Sequence, residues 1–128
     1  MIRTAAKLAI RKYGTVICLG VVEGIGTVAP LAKDLRHAGN RIVSILSASV
    51  ESDLLWEQAI RLVSDEVIVS ALDGSRGEAL RVDHLLLKRL NEGDINLVVA
   101  VGPMEKVELL GSIVQTMGCA FIALPSER

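Results

Sequence analysis

Residues 15–30, TVICLGVVEGIGTVAP, are the stretch from which the fold is read. Thr15, Val16, Ile17, Cys18 and Leu19 form an apolar, β-branched run bounded by Gly14 and Gly20, the signature of a strand buried on both faces. Gly20, Gly24 and Gly26 then mark a loop, and a helical pattern begins at Thr27 as N-cap, with Pro30 in a first turn that tolerates its missing N–H. A strand, a glycine loop and a helix N-terminus bring unpaired backbone N–H groups and the positive end of a helix dipole to one point, where a phosphate can sit. The same residues also suit an ordinary strand-to-helix turn whose glycines serve tight geometry, and at this level both readings stay open.

Outward from that stretch the alternation repeats. The first helix carries Val28, Leu31, Leu35 and Ala38 on one face and stops at Gly39-Asn40. Residues 41–46 read as a second strand with Ser47, Ala48 and Ser49 as its exit, followed by a helix capped by Ser52 or Asp53 and carrying Leu55, Ala59, Ile60 and Val63. Residues 66–70 read as a third strand and Asp73, Gly74 and Ser75 as its turn. Ser75-Arg76-Gly77-Glu78 fits a capping box for a helix over 79–90, ended by Gly93-Asp94. Residues 96–101 make a fourth strand, Gly102-Pro103 opens a helix running to Gly118, and residues 119–124 make a fifth strand. Continuous apolar strands alternating with helices predict an α/β, Rossmann-like doubly wound domain. Its five-stranded parallel sheet takes the order 3-2-1-4-5, because the first glycine loop must lie where the strand order reverses.

With 128 residues, 51% of them hydrophobic, the chain can bury one real core and is short for a complete two-substrate enzyme. A net charge of −1 with scattered Lys and Arg leaves no footprint for nucleic acid, and 2% aromatics supply no base-stacking platform. Apolar runs are too short to span a bilayer, and Arg3, Lys7, Arg11 and Lys12 interrupt any signal-peptide core, so the expectation is a cytoplasmic protein. Cys18 and Cys119 lie in apolar strand patterns and read as small buried hydrophobes without metal-ligand spacing. His37 and His84 read as solvated, Trp56 as core or half-buried packing, and Glu105 and Glu108 as complements to a helix dipole.

Ligands of doubly wound sheets bind beyond the carboxyl ends of the strands, an edge that here collects residues 20–27, 47–49, 73–75 and 102–104. Gly24-Ile25-Gly26-Thr27-Val28-Ala29 matches G-x-G-x-x-G/A in form. Four residues separate Gly24 from the strand end, however, and Ser47 and Ser49 stand where a ribose-binding acid belongs. A different dinucleotide binder fits better. Its marks are Tyr13-Gly14-Thr15-Val16, Gly20 and Gly24, Pro30-Leu31-Ala32-Lys33, Ala38-Gly39-Asn40, Ser47-Ala48, Val63-Ser64-Asp65-Glu66, Asp73-Gly74-Ser75, and Val101-Gly102-Pro103-Met104. In order and spacing these resemble the pyridine-nucleotide domain of the ferredoxin–NADP reductase superfamily over residues 13–124. The branch is that of bifurcating ferredoxin–NADP reductase flavoprotein subunits, sulfide dehydrogenases and dihydroorotate dehydrogenase electron-transfer subunits.

The resemblance implies a module that binds NAD(P)H and delivers hydride to a flavin on a separate domain or redox subunit, with FAD only on that partner. The cysteines that would hold the family's iron–sulfur cluster beyond the last strand are absent, and the expectation is no catalytic residue and no metal in this chain. The resemblance also implies that Gly20, Val21, Val22, Gly24 and Thr27 border the pyrophosphate. Ser47 and Ser49 would face the adenosine ribose, Asp73, Gly74 and Ser75 the adenine side, and Gly102, Pro103 and Met104 the nicotinamide. Residues 15–128 would be the nucleotide-binding domain, and residues 1–14 a linker or docking segment. Its Ile2, Leu8 and Ile10 would pack on a flavin domain in a full-length relative, and here are expected to be covered by self-association into a homo-oligomer or to lie disordered. Departures from the family pattern point to a second reading. Val21 and Val22 stand where the family loop has glycines, Glu23 adds a negative charge, and Ser49 replaces an arginine fork. On that reading the chain is a non-catalytic interaction module that keeps the fold with weak or lost nucleotide binding.

Overall fold

The computed structural model describes residues 8–48, 56–71 and 81–125. The elements are β1 (Thr15–Val21), a single 3₁₀ turn (Val22–Gly24), α1 (Ile25–His37), β2 (Arg41–Ala48), α2 (Glu57–Leu62), β3 (Glu66–Ala71), α3 (Val82–Asn91), β4 (Leu97–Gly102), α4 (Met104–Thr116) and β5 (Ala120–Pro125). All four strand pairs are parallel, and the order is β3-β2-β1-β4-β5, as the alternation of apolar strands and helices requires. The order reverses between β1 and β4, so the loops after these strands share one edge.

Strand residues alternate between two cores. Val16 and Cys18 of β1, Ile42 and Leu46 of β2 and Val99 of β4 face α1 and α2. Ile17, Leu19 and Val21, Val43 and Ile45, and Val98 face α3 and α4. A sheet buried on both faces has no polar side, and that is why its strands read as unbroken apolar runs rather than alternating ones.

Several boundaries differ from the sequence expectation. β1 runs two residues past Leu19, and β2 continues through Ser47 and Ala48, because parallel neighbours extend the ladder: Val21 pairs with Ser47 and Ala48 with Ala71. α1 ends where expected, with Gly39 at φ +99° accepting the left-handed conformation that closes a helix. The expected caps Ser52 and Asp53, and the capping box from Ser75 to Glu78, lie outside the described residues. α2 and α3 are described from Glu57 and Val82.

Of the N-terminal segment, residues 8–14 are described and none is helical. Asn40 holds this segment. Its buried Oδ1 accepts the N–H groups of Tyr13 (2.6 Å) and Gly14 (3.0 Å), and its Nδ2 donates to the carbonyls of Arg11 and Leu35 (2.8 Å each). Leu8 packs on the core, whereas Ile10 is exposed.

Candidate functional site

Parallel register carries the ends of β1, β2 and β4 to one edge. Gly20 pairs with both Leu46 and Val101, Val21 with Ser47, and Gly102 approaches Val21 so closely that a side chain at Gly102 would lie 2.9 Å from Val21 Cβ. Gly20, Val21, Val22, Gly24, Ser47, Gly102, Pro103 and Met104 therefore gather at the carboxyl edge. Thr27 is exposed in the first turn of α1. Ser49, Asp73, Gly74 and Ser75 lie outside the described residues.

The glycine loop is shorter than its sequence suggests. Gly20 belongs to β1 and is buried, Val21 is a core residue 2% exposed, and only Val22, Glu23 and Gly24 connect strand to helix, as one 3₁₀ turn. Thr27 is not the N-cap: α1 starts two residues earlier, behind Gly24, because the 3₁₀ turn runs directly into it. Packing accounts for two of the glycines. A Cβ on Gly20 would lie 2.8 Å from Val28 Cγ2 and 2.9 Å from Ile25 Cα, and one on Gly24 would run into the Val101 carbonyl. Small residues here let α1 lie against β1 and the turn against the end of β4.

Val22 carries the conformational burden. Its φ is +51°, a region that a β-branched residue enters only against its own sterics. The first α1 amide is also engaged, since the Ile25 N–H donates to the Val22 carbonyl. A diphosphate approaching this turn meets one backbone donor fewer and one side chain more than an open glycine loop would offer.

Beside the turn lies a groove of about 320 Å³ between the N-terminal halves of α3 and α4. Val21, Val22, Val82, Leu109, Leu110 and Ile113 make it mainly apolar, and Ser47 reaches it from β2. Arg81, Lys106, Asp83 and Glu105 add two charges of each sign, with Arg81 bonded to Asp83 at 3.2 Å. A pocket of this size and character suits a planar ring with a few polar groups at its margin.

Trp56 is the residue whose place at this edge the sequence does not indicate. Of the two alternatives, core or half-buried packing, the structure fits the second: the side chain is 51% exposed, and its indole covers Gly26, where a Cβ would stand 2.9 Å from Nε1. No linear pattern relates positions 26 and 56, so only folding brings this aromatic to the start of α1. The histidines match expectation: His37 and His84 are exposed on their helices. Cys18 is buried within β1, where burial pushes its thiol up to about 12, and Cys119 precedes β5 with its thiol also raised by burial. Neither thiol is poised as a nucleophile.

No family model matches the chain. The dihydroorotate dehydrogenase B (NAD(+)) electron transfer subunit homologue of Thermotoga maritima is 35% identical over 94 residues, a stretch covering 73% of this chain and 33% of that protein. The chain thus spans about a third of the length of this curated relative. A solved NADH-dependent reduced ferredoxin–NADP oxidoreductase, studied for flavin-based electron bifurcation, superposes with a TM-score of 0.77 at 29% identity, over 90% of this chain and 42% of its own. The C-terminal domain of a hydrogenase from Pyrococcus furiosus shares the fold with a TM-score of 0.79 at 18% identity, covering 91% of this chain and 95% of that domain.

Proposed function

We propose that this chain, which belongs to the ferredoxin–NADP reductase superfamily on the branch of dihydroorotate dehydrogenase electron-transfer subunits, is the pyridine-nucleotide domain of a flavin-dependent oxidoreductase. The observation that carries the reading is the carboxyl edge itself, where the β1 turn, Ser47, Gly102 and the apolar groove adjoin at the reversal of strand order. NAD(P)H lies across this edge, with its diphosphate toward Val22, Gly24 and Thr27 and its nicotinamide toward Gly102, Pro103 and Met104. Ser47 and Ser49 serve the adenosine ribose, and Asp73, Gly74 and Ser75 the adenine side. When bound, the dinucleotide supplies a hydride to a flavin carried on another domain or subunit. This chain contributes position and exclusion of water, not a reacting group.

Trp56, the one tryptophan of the chain, gives the test. At the start of α1 it stands close enough to the proposed diphosphate position for its emission to excite reduced nicotinamide. Titration with NADH and NADPH, with calorimetry in parallel, should quench Trp56 saturably and raise nicotinamide emission on tryptophan excitation. Absence of both signals and of heat, in a folded protein, would reject nucleotide binding. One feature favours a second reading, an interaction module with weak or lost nucleotide affinity: Val22 stands at φ +51° in a turn whose following amide, the Ile25 N–H, is already bonded to the Val22 carbonyl.

A further inference from the structure

At the opposite, amino-terminal edge of the sheet lies a polar cavity of about 480 Å³, lined by Thr15, Arg41, Arg89, Asp94 and Asn96. Thr15 and Arg41 face each other across β1 and β2. Asn96 is fixed by two bonds to Thr15: its backbone N–H donates to the Thr15 carbonyl, and its Oδ1 accepts the Thr15 N–H, at 2.9 Å each. That commits the oxygen of the Asn96 amide, and among the described residues its Nδ2 has no hydrogen-bond acceptor. Arg41 is exposed, and among the described residues its guanidinium makes no ion pair or hydrogen bond.

Arg89 is the less ordinary member. Its side chain is 12% exposed, and its Nε is buried without a hydrogen-bond partner. Glu66 of β3 stands 3.6 Å from that Nε as an ion pair, Glu92 at the end of the same helix stands 3.5 Å from Nη1, and Nη1 reaches the Gly93 carbonyl at 3.4 Å. All three contacts are longer than a charge-assisted hydrogen bond of about 2.7–2.9 Å. A role in complementing the dipole at the end of α3 accounts for Arg89 but leaves Arg41, Thr15 and Asn96 unexplained. Two guanidinium groups, a hydroxyl and an amide NH₂ line this cavity with one carboxylate, Asp94, which pairs with neither arginine among the described residues, while Glu66 and Glu92 stand against Arg89 from outside the lining.

We propose that this cavity binds a small oxyanion, the phosphate or carboxylate group of a ligand, between Arg41 and Arg89. Planar guanidinium forks match the geometry of such groups; Arg41 offers an uncommitted fork among the described residues, and Arg89 a part-buried one whose present contacts are all long. The site lies at the other end of the strands from the nucleotide edge, so it stands or falls independently of the function proposed above.

The test is a residue-resolved NMR titration of the full chain with inorganic phosphate and, separately, malonate, at constant ionic strength. Saturable shifts at the backbone amides of Thr15, Arg41 and Asn96 are expected. Saturation by phosphate alone assigns a phosphate-bearing ligand, and saturation by malonate alone a carboxylate-bearing one. Arg41→Gln, at an exposed position that leaves the core intact, should weaken binding by about fivefold or more, as the loss of a charged donor implies. Asp94→Asn should tighten it by about two- to threefold, as loss of a partly screened like charge implies. Asn tolerates the φ of +69° at that position, so this variant stays folded. Shifts that never saturate, shifts confined to residues 20–27, or equal affinities in wild type, Arg41→Gln and Asp94→Asn would overturn the proposal.

Discussion

Val22 sets the local terms on which the β1 turn can meet an anion. Holding an L-residue in the left-handed region costs about 1–2 kcal/mol, a cost that glycine escapes. Glycine in turn adds unfolded-state freedom of about 0.4–1 kcal/mol and removes a partly buried side chain. These terms oppose each other, so Val22→Gly should leave stability within about 1 kcal/mol of wild type, where truncating a buried valine in extended backbone costs about 1.5–3 kcal/mol. The same change opens the turn, and NAD(P)H affinity should rise about fivefold, equivalent to about 1 kcal/mol. Unfolding in urea and calorimetry on the same samples check both parts; unchanged dissociation constants would show that Val22 is not what limits binding. Cys18 carries a different residue-scale consequence. Its thiol rises from 9.0 to about 12 through burial alone. The folded value lies above the unfolded one, so the stabilisation is intact below about pH 9 and is lost as pH climbs towards 12. Cys18→Val lacks the ionisable group and should keep more of its neutral stability at about pH 10.5 than wild type does. Equal losses in the two proteins would assign the alkaline transition to other groups.

At the scale of elements, Asn40 joins pieces that have little sequence in common. It sits after α1, yet it satisfies the N–H groups that lead into β1 and the carbonyls of Arg11 and Leu35. Its four bonds let the chain reach the start of β1 without burying unpaired backbone groups. Asn40→Ala leaves those groups without partners at about 1 kcal/mol each, tempered by the second bond that the Leu35 carbonyl receives from the residue 40 N–H. The expected loss is about 3 kcal/mol, a fall in Tm of roughly 10 °C by thermal denaturation. A loss below 1 kcal/mol would mean that residues 8–14 detach without consequence for the sheet. The close seat of α1 on β1 depends likewise on Gly20, which the sequence marks only as a loop glycine and the structure places under Val28.

The whole molecule offers a groove and an edge but, among its described residues, no side chain set to transfer electrons. Hydride transfer needs an acceptor beside the nicotinamide, and in the proposed function that acceptor is a flavin on another domain or subunit. The purified chain should therefore be colourless and inert as a diaphorase, and NAD(P)H oxidation with a dye acceptor should remain at the no-enzyme rate. Catalytic dye reduction by the chain alone would refute this division of labour. Relatives named as an electron transfer subunit and a ferredoxin–NADP oxidoreductase, of which this chain spans 33% and 42%, are consistent with such a division.

What the sequence determined by itself is the layered architecture. Apolar β-branched runs at 15–19, 41–46, 66–70, 96–101 and 119–124, alternating with helical patterns, allow little other than a parallel sheet buried on both faces, in the order that the structure shows. The carboxyl edge was legible for the same reason, since topology alone sends residues 20–24, 47 and 102–104 to one end of the strands. Tertiary structure decided the details that involve approach distances between distant segments. Gly20 and Gly24 read either as phosphate-loop glycines or as tight-turn glycines, and only the folded chain shows that Val28 and the Val101 carbonyl also require them to be small. Val21 read as a loop residue until its pairing with Ser47 drew it into the core. Trp56 over Gly26, and Arg41 with Arg89 around one cavity, join positions 30 and 48 residues apart. Periodicity reports which face of an element is buried; it carries no term for what a distant segment places against that face, which is set only when the packed chain closes.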